Sequence, residues 1–193
     1  MFDSAISHDD LQLLPLVRFT GRIHLAEDAE RADELVKRLE KSPVLGFDTE
    51  TRPSFMKGRV NRVALLQLST KHHAYLFRLC KMPIPPSLLA LFSNPNILKI
   101  GVAIKNDMDT LRRSAKIQPQ GFVDLQSLMK QFAITDLGLA KMAGIILGFR
   151  ISKSQQLSNW ENAVLTEAQK RYAATDAWAC HEIYKKLTAP PTV

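Results

Sequence analysis

The sequence predicts an α/β fold, a mixed β-sheet flanked by α-helices. Three observations carry this prediction. The apolar runs 44–47, 63–68 and 97–102 are short, as buried strands are. Between them, Ala29, Ala32, Leu35, Val36 and Leu39 recur at helical spacing. Strands dominate the first half and then alternate with helices, an order that favours a mixed sheet with helices packed against it. At 193 residues the chain suits one domain with a sizeable core.

The elements follow in order. Residues 1–18 show no sustained period and read as an extended lead-in or a short helix at 9–14. Residues 22–25 read as a strand and 27–41 as a helix stopped by Pro43. The strand over 44–50 ends in Asp48 and Glu50, and 51–62 reads as a loop with four basic residues, Arg52, Lys57, Arg59 and Arg62. Strands at 63–68 and 73–78 form a hairpin across 69–72. A Pro-rich stretch leads to a helix at 87–92, then a buried strand at 97–102 and a helix at 105–116. A short strand at 121–125 precedes helices at 126–132 and 137–147, the latter capped by Gly148. The polar stretch 149–162 reads as a surface loop. Thr166 starts the last helix as an N-cap, with Gln169 at the capping-box position. The domain is expected over 19–188, with 1–18 leading in and 189–193 as a tail.

Composition narrows the class. With 46% hydrophobic and 23% charged residues the chain is globular rather than disordered. No apolar run approaches the roughly 18 residues of a membrane span, and the acidic N-terminus lacks the order of a secretory signal. Cys80 and Cys180 lie far apart, outside any metal-ligand spacing, and are expected to be buried, reduced thiols of a cytoplasmic protein. The net charge of +7 favours a polyanionic partner without establishing one.

The chemistry concentrates in carboxylates. Asp48 and Glu50 are two apart on a strand and therefore share a face. Such a pair repels itself and calls for a cation or a shared proton; hard oxygen ligands suit Mg²⁺ or Mn²⁺. Asp107 and Asp109 follow a strand end at the start of a helix. Only one of them can face a common site, and both also fit as acids at a helix N-terminus. Tyr172 and Asp176, four apart on the last helix, share a face beside the small Ala173 and Ala174. That pair also fits a core edge. Asp124 reads as a turn or cap residue.

Taken together, Asp48-x-Glu50, Asp107 and Tyr172-x3-Asp176 resemble the DEDD 3′→5′ exonucleases of the tyrosine-bearing subclass. The contexts match as well: Phe47-Asp-Thr-Glu, Val63-Ala-Leu-Leu-Gln-Leu, Gly101-Val102-x-Ile104-x2-Asp107 and Leu165-Thr-Glu-x-Gln-x2-Tyr172-Ala-Ala-Thr-Asp176 are similar to ribonuclease D and, more closely, to the exonuclease domain of the Werner syndrome protein. The resemblance spans about residues 20 to 188. It implies a ribonuclease H-like fold, selects Asp107 over Asp109 and leaves Asp124 outside the catalytic set. The histidine-bearing subclass would have His where Arg171 stands.

The resemblance further implies two divalent cations, Mg²⁺ or Mn²⁺, held by Asp48, Glu50, Asp107 and Asp176, with Tyr172 orienting the attacking water. The partner is nucleic acid with a free 3′ end. The chain ends at Val193 without the helical accessory domains usual in ribonuclease D relatives, so trimming of single-stranded or recessed ends of DNA or RNA is expected. Candidate substrate contacts are Arg52, Lys57 and Arg59 in the basic loop, Phe47 and Thr49 beside the acids, and Trp160 for base stacking. Phe47 and Trp160 also fit as core residues, and the basic loop as a solvated one. The competing function is a catalytically silent nucleic-acid-binding or scaffold domain on the same fold; a third reading is another metal-dependent phosphodiesterase acting on small nucleotides or very short oligonucleotides.

Overall fold

The computed structural model describes residues 2–54 and 61–190. Among them six strands form one sheet: β1 (Arg22–Ala26), β2 (Val44–Thr51), β3 (Val63–Ser69), β4 (His73–Phe77), β5 (Leu98–Gly101) and β6 (Phe122–Asp124). Their spatial order is β1-β4-β3-β2-β5-β6. β2, β3 and β4 pair antiparallel in sequence. β1 lies parallel to β4, and β5 and β6 continue parallel from β2, so the sheet is mixed. β3 is central and buried along its whole length, as its nearly continuous apolar run requires.

Among the described residues seven α-helices accompany the sheet: α1 (His8–Leu13), α2 (Ala29–Leu39), α3 (Pro86–Ser93), α4 (Ile104–Leu111), α5 (Leu125–Met129), α6 (Leu139–Leu147) and α7 (Glu167–Thr188). α2, α3 and α4 cover one face, burying Leu35, Leu39, Phe92 and Leu111 against Phe47, Leu66 and Phe77. α7 crosses the other face. There Ala173, Trp160 and Leu165 pack on Leu65 and Leu76, and α5 and α6 pack alongside its C-terminal half.

Local signals explain the element ends. Asp28 caps α2 by accepting from the Arg31 N–H, with Lys37 and Arg38 in the last turn. Thr166 and Gln169 form the complete capping box of α7. α6 stops at Gly148, whose φ of 74° is left-handed. Two helices are shorter than their periodicity suggests. α4 ends at Leu111 and gives way to tight turns through Arg113 and Ser114. Past α5, residues 130–132 form a 3₁₀ turn that ends at Ala133 with φ 55°.

The N-terminal segment is tied down. The Ile6 N–H donates to the Asp136 carboxylate, Thr135 N–H donates to the Ser4 carbonyl, and Leu11 is buried. The expectation of two buried thiols holds for Cys180 and is corrected for Cys80. Cys80 follows the end of β4 and is exposed.

Candidate active site

Three carboxylates meet where β2 passes beneath α7. Ligand oxygens of Asp48, Glu50 and Asp176 all lie within 4.8 Å of one another. The pleat of β2 puts the first two on the α7 face, and α7 presents Asp176 to them. Close approach of the two elements depends on Gly46, where an added Cβ would lie 1.7 Å from the Ala177 carbonyl oxygen. Ala173, Ala174 and Ala177, all fully buried, keep that side of the helix thin.

Asp107 stands beside the trio rather than in it. It occupies the first turn of α4 and its carboxylate accepts a hydrogen bond of 2.5 Å from the Thr49 hydroxyl. Asp124 holds this turn in place: its carboxylate accepts from the Ala103 and Ile104 N–H groups while capping α5 through Gln126 N–H. Ala103 takes the left-handed conformation (φ 54°) that the tight strand-to-helix turn imposes. Asp124 thus acts as a bridging cap, and Asp109 points away to an exposed pair with Arg112.

The electrostatics are those of buried acids crowded together. Burial, with the Asp176 and Asp107 charges added, holds the Asp48 carboxyl well above the usual range. Burial pushes Glu50 up to about 10, with Asp48 the largest charge contribution. Asp176 is raised to about 7 by burial, against the lowering effect of its hydrogen bond from Tyr172. Asp107 is raised to about 6 by burial, against the Thr49 hydrogen bond. Burial and the neighbouring Asp176 and Glu50 carboxylates raise the Tyr172 phenol as well. Among the described residues no Lys, Arg or His forms an ion pair with any of the four acids. A set of hard oxygen donors, raised in pKa and forming no ion pair among the described residues, fits a divalent ion.

The cleft has a volume of about 440 Å³, within the range of small-ligand sites. Besides the acids and Tyr172 it is walled by His8 and Leu11 of α1, Leu139 of α6, and Lys153 and Gln156 of the polar loop. Sequence reasoning did not find these walls, because α1 and the loop reach the cleft only through the tertiary fold. Cys180 also lines it, and the four-residue step from Asp176 on α7 was a signal that pointed there.

Two candidate substrate contacts are corrected. Phe47 is 1% exposed and packs edge-on against Phe92 and Phe122 on the far face of the sheet, so it touches no nucleotide in the cleft. Trp160 is fully buried, its ring 5.9 Å from that of Tyr172. It backs the tyrosine and offers no face for base stacking. Thr49 is spoken for by Asp107. Arg52 is exposed and pairs loosely with Glu161 at 3.4 Å. Lys57 and Arg59 lie outside the described residues.

Residues 23–190 match the family model described as 3′–5′ exonuclease. The chain belongs to this family. It is 35% identical over 184 residues to the mouse bifunctional 3′–5′ exonuclease/ATP-dependent helicase WRN, covering 90% of this chain but 13% of that protein. Among solved structures, the Aedes aegypti Nibbler EXO domain superposes with a TM-score of 0.79 at 25% identity, covering 88% of this chain and 90% of that one. Escherichia coli RNase D gives 0.77 at 25% identity over 86% of this chain and 44% of that one. The six-stranded mixed sheet with its helices is accordingly the ribonuclease H-like exonuclease fold. Among the described residues no helix is long and apolar enough to cross a membrane.

Proposed function

We propose that the chain is a metal-dependent 3′–5′ exonuclease of the tyrosine-bearing DEDD subclass, releasing nucleoside monophosphates from the 3′ end of DNA or RNA. The observation that carries this reading is the meeting of Asp48, Glu50 and Asp176 within 4.8 Å, with Asp107 beside them, in a chain of the exonuclease family.

Asp48 would serve both of two divalent ions, Mg²⁺ or Mn²⁺. Glu50 and Asp176 would hold the first ion with it, and Asp107 would hold the second, directly or through water. Bound there, the pair of ions would activate water and stabilise the leaving alkoxide. The remaining work falls to the chain. Thr49 fixes the rotamer of Asp107 by donating to it. Tyr172 keeps its proton at neutral pH, since burial and the adjacent carboxylates raise its pKa. Its hydroxyl therefore orients the attacking water and is not the general base. The buried Trp160 ring holds Tyr172 from behind. Exposed Arg52, at the end of β2, is available to the phosphodiester backbone once Glu161 releases it.

The test uses 5′-labelled single-stranded DNA, recessed duplex DNA and single-stranded RNA of one sequence, each with Mg²⁺, Mn²⁺ or EDTA. A one-nucleotide ladder from the 3′ end, absent in EDTA and with Asp48→Ala, supports the proposal, and the relative rates assign the substrate. Binding without degradation in either metal would replace it with the silent binding domain.

A further inference from the structure

Gln67 lies in the middle of β3, fully buried, and neither its amide nitrogen nor its amide oxygen has a hydrogen-bond partner. A buried amide with both ends unsatisfied is costly and rare in native proteins. Its surroundings narrow what it can be for. In the antiparallel register Gln67 stands directly opposite Asp48, so the two side chains share a face with their Cβ atoms roughly 5 Å apart. On β4 its neighbour is apolar Leu76. Leu65 and Ser69 flank it along β3, and the Ser69 hydroxyl is already committed to the Thr70 and His73 carbonyls. The helix above lays the small Ala173, Ala174 and Ala177 on this face, Asp176 is gathered with Asp48 and Glu50 and accepts from Tyr172, and Thr175 is committed to Arg171 and Phe19. The polar side chain that the register sets beside the amide is therefore the Asp48 carboxylate.

We propose that Gln67 is a positioning residue for Asp48. From its place opposite Asp48 in the register, the Gln67 amide N–H donates to that carboxylate and fixes which way its oxygens face toward a bound cation. The buried amide without a partner on β3 is the donor this contact uses. This inference rests on the metal-centre reading above, and its failure is distinguishable from the failure of that reading.

The experiment compares the wild type with Gln67→Met, an unbranched apolar replacement of similar length, by Mn²⁺ titration and by thermal unfolding in EDTA. Expected are a Tm in EDTA raised by a few degrees and a Mn²⁺ affinity lowered roughly ten-fold or more, as loss of a ligand's supporting hydrogen bond does. A merely structural glutamine would not move these two quantities in opposite senses. Unchanged Mn²⁺ affinity overturns the proposal, as does a lowered Tm. Should the variant fail to fold, the side-chain amide resonance of Gln67 in the labelled wild type decides: a shift on Mg²⁺ addition supports the contact, and an unmoved resonance overturns it. A wild type that binds no Mn²⁺ sinks the metal-centre reading itself.

Discussion

Removing one charge from the acid set should stabilise the metal-free protein, and Asp176→Asn is the cleanest way to do so. The Asp176 carboxyl is raised by burial from 3.8 to about 7, so the folded protein holds a proton that the unfolded chain releases. The stability linked to that proton is present in full below about pH 4 and is lost as pH rises through about 7. At about 1.4 kcal/mol per pH unit the full effect is about 4 kcal/mol. Protons shared with Asp48 and Glu50 reduce what one substitution recovers to roughly 2–4 kcal/mol. Asparagine keeps the shape and can still accept from the Tyr172 hydroxyl. In a chain of this size the gain corresponds to a Tm increase on the order of 5–10 °C. Calorimetry in EDTA at pH 8 should show it, and the difference should vanish near pH 4, where the wild-type carboxyl is already neutral. Saturating Mn²⁺ should then raise the wild-type Tm more than that of the variant. A variant no more stable than wild type at pH 8, or a gain independent of pH, would refute the reasoning.

Three further substitutions separate the roles at the site. Tyr172→Phe should lower kcat on the order of 100-fold by freeing the attacking water, while Mn²⁺ affinity stays within about two-fold; full turnover at saturating metal contradicts the assigned role. Gly46→Ala should cost about 3 kcal/mol in denaturant unfolding, because the new Cβ meets the Ala177 carbonyl of α7. It should also weaken Mn²⁺ binding by parting Asp48 from Asp176. Thr49→Val removes the donor that holds Asp107 down at about 6. The acid limb of the kcat/KM profile should therefore move to higher pH, and a profile superimposable on wild type would dissociate Thr49 from Asp107.

Much of this was legible in the residues because local rules and global fold agree. The capping box at Thr166 and Gln169, the Gly148 stop and the Pro43 break each satisfy a local hydrogen-bonding or dihedral demand, and the elements they bound appear where the pattern places them. The face shared by Asp48 and Glu50 follows from the pleat alone. Long-range pairing was less accessible. Nothing in the 22–26 segment says that it runs parallel to β4, or that α1 walls the cleft. Lys99 shows how context overrides type: a lysine is seldom fully buried, yet this one, within the run read as a buried strand, is. Its ammonium donates to the Leu91 and Asn94 carbonyls at the end of α3, over the Phe122 ring. Phe47 and Trp160 were ambiguous for a related reason, since an aromatic beside an acid fits a core and a stacking platform equally well until the packing is known.

The central claim is that the four acids form one two-metal centre, and a crystal soaked in Mn²⁺ tests it most directly. Two anomalous peaks about 3.5–4 Å apart, with Asp48 touching both, Glu50 and Asp176 at the first and Asp107 at or near the second, are what the account predicts. A soaked crystal with no manganese among these carboxylates, or with ions that Asp48 does not touch, would contradict it.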